Sequence, residues 1–481
     1  MPDFKELAHL ALNEVKRKGA SYADVHVVRT EDENLTLTNA VPELIEKSYD
    51  FGFGVRVIAE GAWGFASSAD LNEKEVIRIS RLAVEIARAS ARLKKEPVAL
   101  SPLGRIVRNY KSPFEIDPFA IRLKEKIEYL AHLCNLMSKQ EGIATNEANM
   151  SFRRMWQYFA SSEGSRIEQE ILQTGAGIYC SATKGHRARA KRSYPSSSGQ
   201  YECRGYELIP ELKFEENAPI IAEQAVALLS AKECPSGIKD IVLDGSHVSL
   251  QIHESIGHPL ELDRVFGSER DFSGVSFATV DKLGKLKYAS EIVNVTTDAT
   301  TPFGLGTFGY DDEGVPAQKV DLIKNGVLVG YLSSRETAAR IGRGSSGAAR
   351  ADGWGNVPIV RMTNTNLLPG DKTFDELIAG IDDGLYMETT ASWSIDNYRE
   401  NFQMGCEIGW EIKNGKLGEM IKNPTYSGNS VSFWNFCDGI ANKDFWRVWG
   451  TPNCGKGQPA QNGRVGQGAS PTRFRQVKVG A

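Results

Sequence analysis

A chain of 481 residues is too long for one ordinary hydrophobic core, and a net charge of −4 with a pI near 6.1 excludes an overall electrostatic footprint for nucleic acid or an anionic membrane. Seven cysteines, an odd number at scattered spacings, form no disulfide framework and suit a reducing compartment. The N-terminus lacks a signal peptide's apolar stretch, and no run approaches the roughly 20 apolar residues that span a bilayer, so the expectation is a soluble, cytoplasmic protein of two domains.

In chain order, Asp3 and Glu6 read as a capping pair opening a helix that ends at Gly19, with Leu7, Leu10, Ala11 and Val15 inward. Residues 22–29, 35–38, 54–58 and 63–67 read as strands. A long helix over 73–94 carries Val76, Ile79, Ala83, Ile86 and Ser90 at helical spacing, and Pro97 and Pro102 begin a connector. Asp117-Pro118 opens another helix, with Leu123, Ile127, Leu130, Cys134 and Met137 inward and His132 on the surface. From 147 to 206 the pattern alternates, as in antiparallel strands. Within it, residues 184–192 are basic, and period two puts Arg187, Arg189 and Lys191 on one face. No aromatics are interleaved for base stacking, so this is a solvated strand or one that meets an acidic partner. A helix over 218–231 precedes Cys234-Pro235-Ser236-Gly237, the best domain boundary. The fold class is therefore α+β. Residues 1–235 form an N-terminal α/β domain with a mixed sheet and long helices, and 236–481 a β-rich C-terminal domain.

The chemistry concentrates just after that boundary. A strand at 239–243 and a turn at Asp244-Gly245-Ser246 lead into a helix bearing His253-Glu254-Ser255-Ile256-Gly257-His258-Pro259. Imidazoles are the commonest metal ligands, and a neighbouring glutamate can take a proton from water activated by the metal. The helical zinc-peptidase motif spaces its histidines i and i+4; here they stand at i and i+5. On a straight α-helix five steps turn a side chain about 140° past a full turn, so the two imidazoles would diverge. A π-type turn or a break would reunite them, and Gly257 and Pro259 supply the means. The alternative is one histidine in the core and the other at a helix end.

Farther on, strands are short and 301–314 shows no helical period. Residues 342–347 match G-x-G-x-x-G, but they follow the helical 334–341 rather than a strand, and no βαβ unit surrounds them, which excludes a dinucleotide site. Asp311, Asp312 and Glu313 read as solvated or arginine-paired in preference to a cation site. Near the end, Cys454 stands in a Gly-flanked turn with Lys456, a cation that favours thiolate, close by. A remote cysteine is the third ligand a catalytic zinc site needs, and it is equally a free thiol or a nucleophile using a histidine as base.

Together these residues resemble the TldD/PmbA family, once labelled modulators of DNA gyrase, and its TldD branch in particular. The likeness rests on His253 to His258 with Leu260-Glu261, on 306–314, Asn325-Gly326-Val327-Leu328, Ala349-Arg350-Ala351, 361–365 and Cys454-Gly455-Lys456, and on 54–57 and 63–66 in the first half. The sequence departs from the pattern where Lys456 abuts Gly457 without an intervening residue, which bears on the path of that loop. The resemblance implies a zinc-dependent peptidase that degrades unfolded peptides or trims peptide precursors, with His253, His258 and Cys454 on Zn2+ and Glu254 as general base. It also implies a homodimer, or a heterodimer with a TldE/PmbA-like subunit lacking the metal motif. A non-catalytic, gyrase-modulator-like binding subunit and a cysteine hydrolase using Cys454 are the alternatives. Glu261 and Asp263 are candidates to orient the histidines, and Tyr310, Arg350 or a backbone amide to steady the oxyanion.

Overall fold

A computed structural model describes residues 4–94, 96–185, 188–272 and 274–480. The first half is built on one eight-stranded sheet. Its main path runs Ala62–Ser68, Val41–Ala59, Tyr22–Thr38, Ile143–Ser161, Arg166–Lys184 and Val107–Lys111, and Ala188–Tyr194 and Gln200–Glu202 also pair with Arg166–Lys184. The sheet is mixed because Val107–Lys111 runs parallel to its neighbour while the other pairs are antiparallel. Helices Phe4–Arg17 and Glu73–Ala91 bury Leu7, Ala11, Val76, Ile79 and Ala83 in one core. Leu123–Ser138 and Phe214–Leu228 bury Leu130, Cys134, Met137, Ala218 and Ile221 in another.

Several expected elements change shape. The strands at 22–29 and 35–38 are one strand, Tyr22–Thr38. The acidic run between them looks like a loop, but Glu31 meets Lys47, Asp32 meets Arg153 and Glu33 meets the buried Lys126. Paired across a sheet, charges no longer interrupt a strand. Asp117 caps only a short 3-10 turn, Pro118–Ala120, and the helix proper begins at Leu123, which is exposed. In the basic stretch, Lys191 is half exposed and 3.9 Å from Glu407, and it is Arg192, on the opposite face from Arg189 and Lys191, that is buried against Glu388 and Glu407 of the second half. Asp3 and Arg187 lie outside the described residues.

The second half is β-rich. Asp383–Ile395, Gly237–Leu243, Thr472–Val479, Thr425–Asn429 and Asn401–Lys413 pair in that order, and the last pairs back onto the first, closing a barrel-like sheet. A four-stranded sheet, the short pairing of Ala349–Arg350 with Ile359–Val360 and the hairpin Arg447–Lys456 with Gln461–Ala469 accompany it. One core runs through this half from Ile241 to Val479; among the described residues its buried members all come from this half, and Cys234 packs against it from the first. The acidic triplet is absorbed into structure. Asp311 accepts three backbone N–H groups, Asp312 bonds to Gln157 and Ala351, and Glu313 bonds to Arg56. Residues 342–347 form a loop after the short helix Arg335–Ala339, without a flanking βαβ unit. No helix among the described residues is long and apolar enough to cross a membrane.

Candidate metal centre

The helix Gly245–Ile252 starts at Asp244, whose carboxylate accepts the backbone N–H groups of Ser246 and His247 and so closes open donors of the first turn. Val248, Ile252 and Ile256 anchor it in the second-half core. His247 is a satisfied core histidine between Thr390 Oγ1 and Tyr426 Oη, both at 2.9 Å, and burial pushes its pKa down to about 3. At His253 the helix widens. Residues His253–Gly257 form a π-turn, and the backbone N–H of His258 bonds to the carbonyl of His253. That i to i+5 bond brings His258 back over His253, which an α-turn cannot do. Gly257 lets the turn close, since a Cβ there would overlap the side chain of Met362. Pro259 then opens a short 3-10 turn, His258–Leu260.

The two imidazoles meet edge to face, their centroids 4.8 Å apart. Cys454 arrives from 196 residues beyond His258, its Sγ 3.2 Å from His253 Nε2 and 3.6 Å from His258 Nε2. It lies on the strand Arg447–Lys456, not in the turn expected from its glycines. The pairing with Gln461–Ala469 slips between Thr451 and Cys454, and this bulge re-aims the side chain. Arg361, fully buried, fixes the strand from behind by donating to the carbonyls of Cys454 and Gln461. The three ligand atoms lie within 4.8 Å of one another. Around a tetrahedral zinc, bond lengths of about 2.0–2.1 Å to nitrogen and 2.3 Å to sulfur put N and S about 3.5 Å apart, so two imidazoles and a thiol at these distances fit such an ion.

The electrostatics suit a cation. Burial alone would raise the Cys454 thiol, but the imidazoles of His253 and His258 hold it well below the usual thiol range. Against the same burial, Cys454 lifts His253 to about 9. Glu254 is buried beside the pair, and despite that burial the two imidazoles and Arg399 keep its carboxyl below the usual range; Arg399 Nη1 donates to Glu254 Oε2 at 2.6 Å.

Of the two carboxylates expected to orient the histidines, Glu261 meets His258, whereas Asp263 meets Lys456 and backbone N–H groups. Glu261 Oε2 meets His258 Nδ1 at 2.9 Å, which leaves Nε2 to face Cys454 Sγ and any ion held there. Lys456 turns into these carboxylates, 2.7 Å from Asp263 Oδ1 and 3.2 Å from Glu261 Oε2, and also donates to the carbonyl of Val360. The thiol is therefore held low by its imidazoles, while the ammonium of Lys456 is spent on the carboxylates. Tyr310 and Arg350 line a separate cavity of about 150 Å³, whereas the cavity of about 460 Å³ over His253, Glu254, His258 and Cys454 is edged by Arg399, Trp393 and Trp449. Sequence reasoning missed Arg399, Arg361 and the carboxylate grip of Lys456.

The family model of the PmbA/TldA metallopeptidase C-terminal domain matches residues 236–481, and that of domain 1 matches 23–87. A metalloprotease of Methanocaldococcus jannaschii is 32% identical over 94% of this chain and 95% of its own length. The chain belongs to the PmbA/TldD metallopeptidase family. It is a metallopeptidase by that membership. A zinc metalloprotease TldD homologue of Saccharolobus solfataricus is 23% identical over 98% of each chain. Two crystal structures share the fold. One, described as a modulator of a DNA gyrase from Thermotoga maritima, has a TM-score of 0.79 at 19% identity over 99% of this chain and 100% of its own. The other, TldE from Thermococcus kodakarensis, has a TM-score of 0.71 at 15% identity over the same shares.

Proposed function

We propose that the chain hydrolyses peptide bonds in unfolded polypeptides or peptide precursors, with His253, His258 and Cys454 holding zinc and Glu254 acting as general base. The observation that carries this reading is the convergence of two Nε2 atoms and one Sγ beside a buried glutamate, at distances that suit tetrahedral zinc. Zinc bound there would supply a Lewis acid for the scissile carbonyl and acidify water. Glu254 takes the proton of the attacking water and passes it to the leaving amine nitrogen. Glu261 keeps the His258 ring in one tautomer, and Lys456 keeps Glu261 ionised: burial would raise that carboxyl, but Lys456 and His258 hold it well below its usual range.

The zinc-metalloprotease name of the Saccharolobus relative supports the choice of metal. A cysteine-hydrolase reading is disfavoured because both imidazoles face one sulfur through Nε2, where a nucleophile would use a single base. The division into domains 1–235 and 236–481 belongs to the same proposal and is supported by three large cores that each lie within one half, with a small cluster of Ile171, Cys203, Ala299 and Phe308 joining the two. So does a dimer, with itself or with a TldE-like subunit. It is supported by the outer edge of residues 41–49, which has no strand partner among the described residues and exposes Val41, Leu44, Ile45 and Tyr49. A cytoplasmic location is supported by seven free cysteines.

The test is Glu254→Gln. The variant should keep one metal per chain by elemental analysis and lose peptide cleavage by a factor on the order of 10²–10⁴. Cleavage that survives the substitution would remove Glu254 from the base role.

A further inference from the structure

Arg399 stands out among the residues over the metal-site cavity because it is a fixed positive charge with spare donors. Its Nη1 donates to Glu254 Oε2 at 2.6 Å, and its side chain is 13% exposed. Among the described residues no acceptor meets its Nε, which is fully buried. The Nε atoms of Arg361 and Arg464 are likewise without an acceptor, so what marks Arg399 is its place: it lines the cavity over His253, Glu254, His258 and Cys454 and donates directly to the base.

The loop that carries Arg399 is built to hold it still. It joins strands Asp383–Ile395 and Asn401–Lys413 at their tips. Asp396 accepts the backbone N–H groups of Tyr398, Glu400 and Asn401 and the side-chain amide of Asn401, at 2.7–3.1 Å. Ser430 Oγ donates to the Arg399 carbonyl at 2.8 Å. The carbonyls of Asn397 and Tyr398 accept the N–H groups of Val275 and Phe277. Within this frame Arg399 has φ of 64°, in the left-handed region that a long side chain rarely adopts. Surroundings that over-determine such a conformation are characteristic of functional sites. A surface ion pair would need none of this.

We propose that Arg399 is the residue that stabilises the oxyanion of peptide hydrolysis. As water oxygen bonds to the scissile carbon, the carbonyl π pair moves onto oxygen while Glu254 takes the water proton. The guanidinium of Arg399 donates to that oxygen as its charge grows. On collapse the oxygen pair re-forms the carbonyl, the C–N bond breaks, and the proton on Glu254 goes to the amine nitrogen. A donor aimed at developing charge in a buried site is typically worth 10²–10³ in kcat.

This inference rests on the metallopeptidase site proposed above, and the experiment separates the two. Arg399→Ala and Arg399→Lys are made in the full chain, alone and with Glu254→Gln, and zinc content is measured for each. Affinities for two peptides of one sequence are then compared in the Glu254→Gln background, where no base remains to be oriented. One carries a phosphinic group that mimics the tetrahedral oxyanion, and the other a reduced CH2–NH linkage without that oxygen. We expect Arg399→Ala to leave zinc content and reduced-peptide affinity within about threefold, to weaken the phosphinic peptide by 10²-fold or more, and to lower kcat by a similar factor with KM little changed. Arg399→Lys should recover part of both losses. If Arg399→Ala changes the affinities for both peptides by the same factor relative to the parent, Arg399 is only a partner of Glu254 and the oxyanion role is overturned. If wild-type cleavage resists chelator, or Glu254→Gln still cleaves, the metallopeptidase site itself has failed, whatever Arg399 does.

Discussion

Replacing Lys456 by Met tests the buried charge network beneath the candidate metal site. The ammonium is completely buried and serves Asp263 at 2.7 and 3.0 Å, Glu261 at 3.2 Å and the carbonyl of Val360 at 2.6 Å. Met fills similar volume and restores none of these contacts. Glu261 keeps Arg264 and His258 as neighbours, but Asp263 is left with backbone donors from Arg264 and Val360. Removing one member of a buried ion pair costs about 3–5 kcal/mol, and the orphaned carboxylate sets that cost. The deficit should therefore depend on pH. Burial already raises the Asp263 carboxyl above its ordinary value, and loss of Lys456 raises it further. Above the unfolded value of about 4 the unfolded chain carries the charge freely, while the folded chain must bury it or hold a proton. The deficit thus grows as pH rises from about 4 and shrinks as pH falls towards it. The assay is urea unfolding by tryptophan fluorescence in excess chelator, wild type against variant, at pH 5 and pH 8. Adding Asp263→Asn should recover about 2 kcal/mol or more at pH 8, because the amide brings no charge to bury. A loss below about 1 kcal/mol, equal at both pH values, would refute the network as drawn.

Further predictions follow from neighbouring contacts. Glu261→Gln should weaken zinc binding by about 10–100-fold, measured by competition with a chromogenic chelator, because the His258 ring loses the carboxylate that sets its tautomer. Arg361→Ala removes the donors that hold the carbonyls of Cys454 and Gln461, and should lower zinc affinity by about tenfold or more while leaving far-ultraviolet circular dichroism unchanged. In metal-free protein with Cys234→Ser, which removes the half-buried thiol, iodoacetamide should modify Cys454 at a rate that stays high well below pH 8, because its imidazoles keep the thiolate populated. Zinc should protect it; a rate that rises only through the ordinary thiol range near pH 8.5 would contradict the pairing.

The π-turn was legible because the histidines stand at i and i+5 with Gly257 and Pro259 beside the second, a spacing that only a widened turn reconciles with a shared ion. Cys454 was legible as a residue but not as a place. Its glycines signal a turn, and only pairing with Gln461–Ala469 reveals a bulged strand. Arg399 was illegible as a functional group because its partner stands 145 residues away, and nothing local distinguishes it from a surface cation. Lys456 was legible as a cation near Cys454, but its carboxylate partner 193 residues away was not. The same limit explains Tyr22–Thr38, whose acidic middle is strand only because cations from three other elements reach it. Edge residues 41–49 show no alternation to read, since both faces are exposed.

The most direct test of the central claim is a crystal of the zinc-loaded chain measured on both sides of the zinc absorption edge. The account predicts one anomalous peak per chain, about 2.0–2.1 Å from the Nε2 atoms of His253 and His258 and about 2.3 Å from Cys454 Sγ. A zinc peak bound by the histidines with the Cys454 sulfur out of reach, or a peak elsewhere and none at this site, would contradict it.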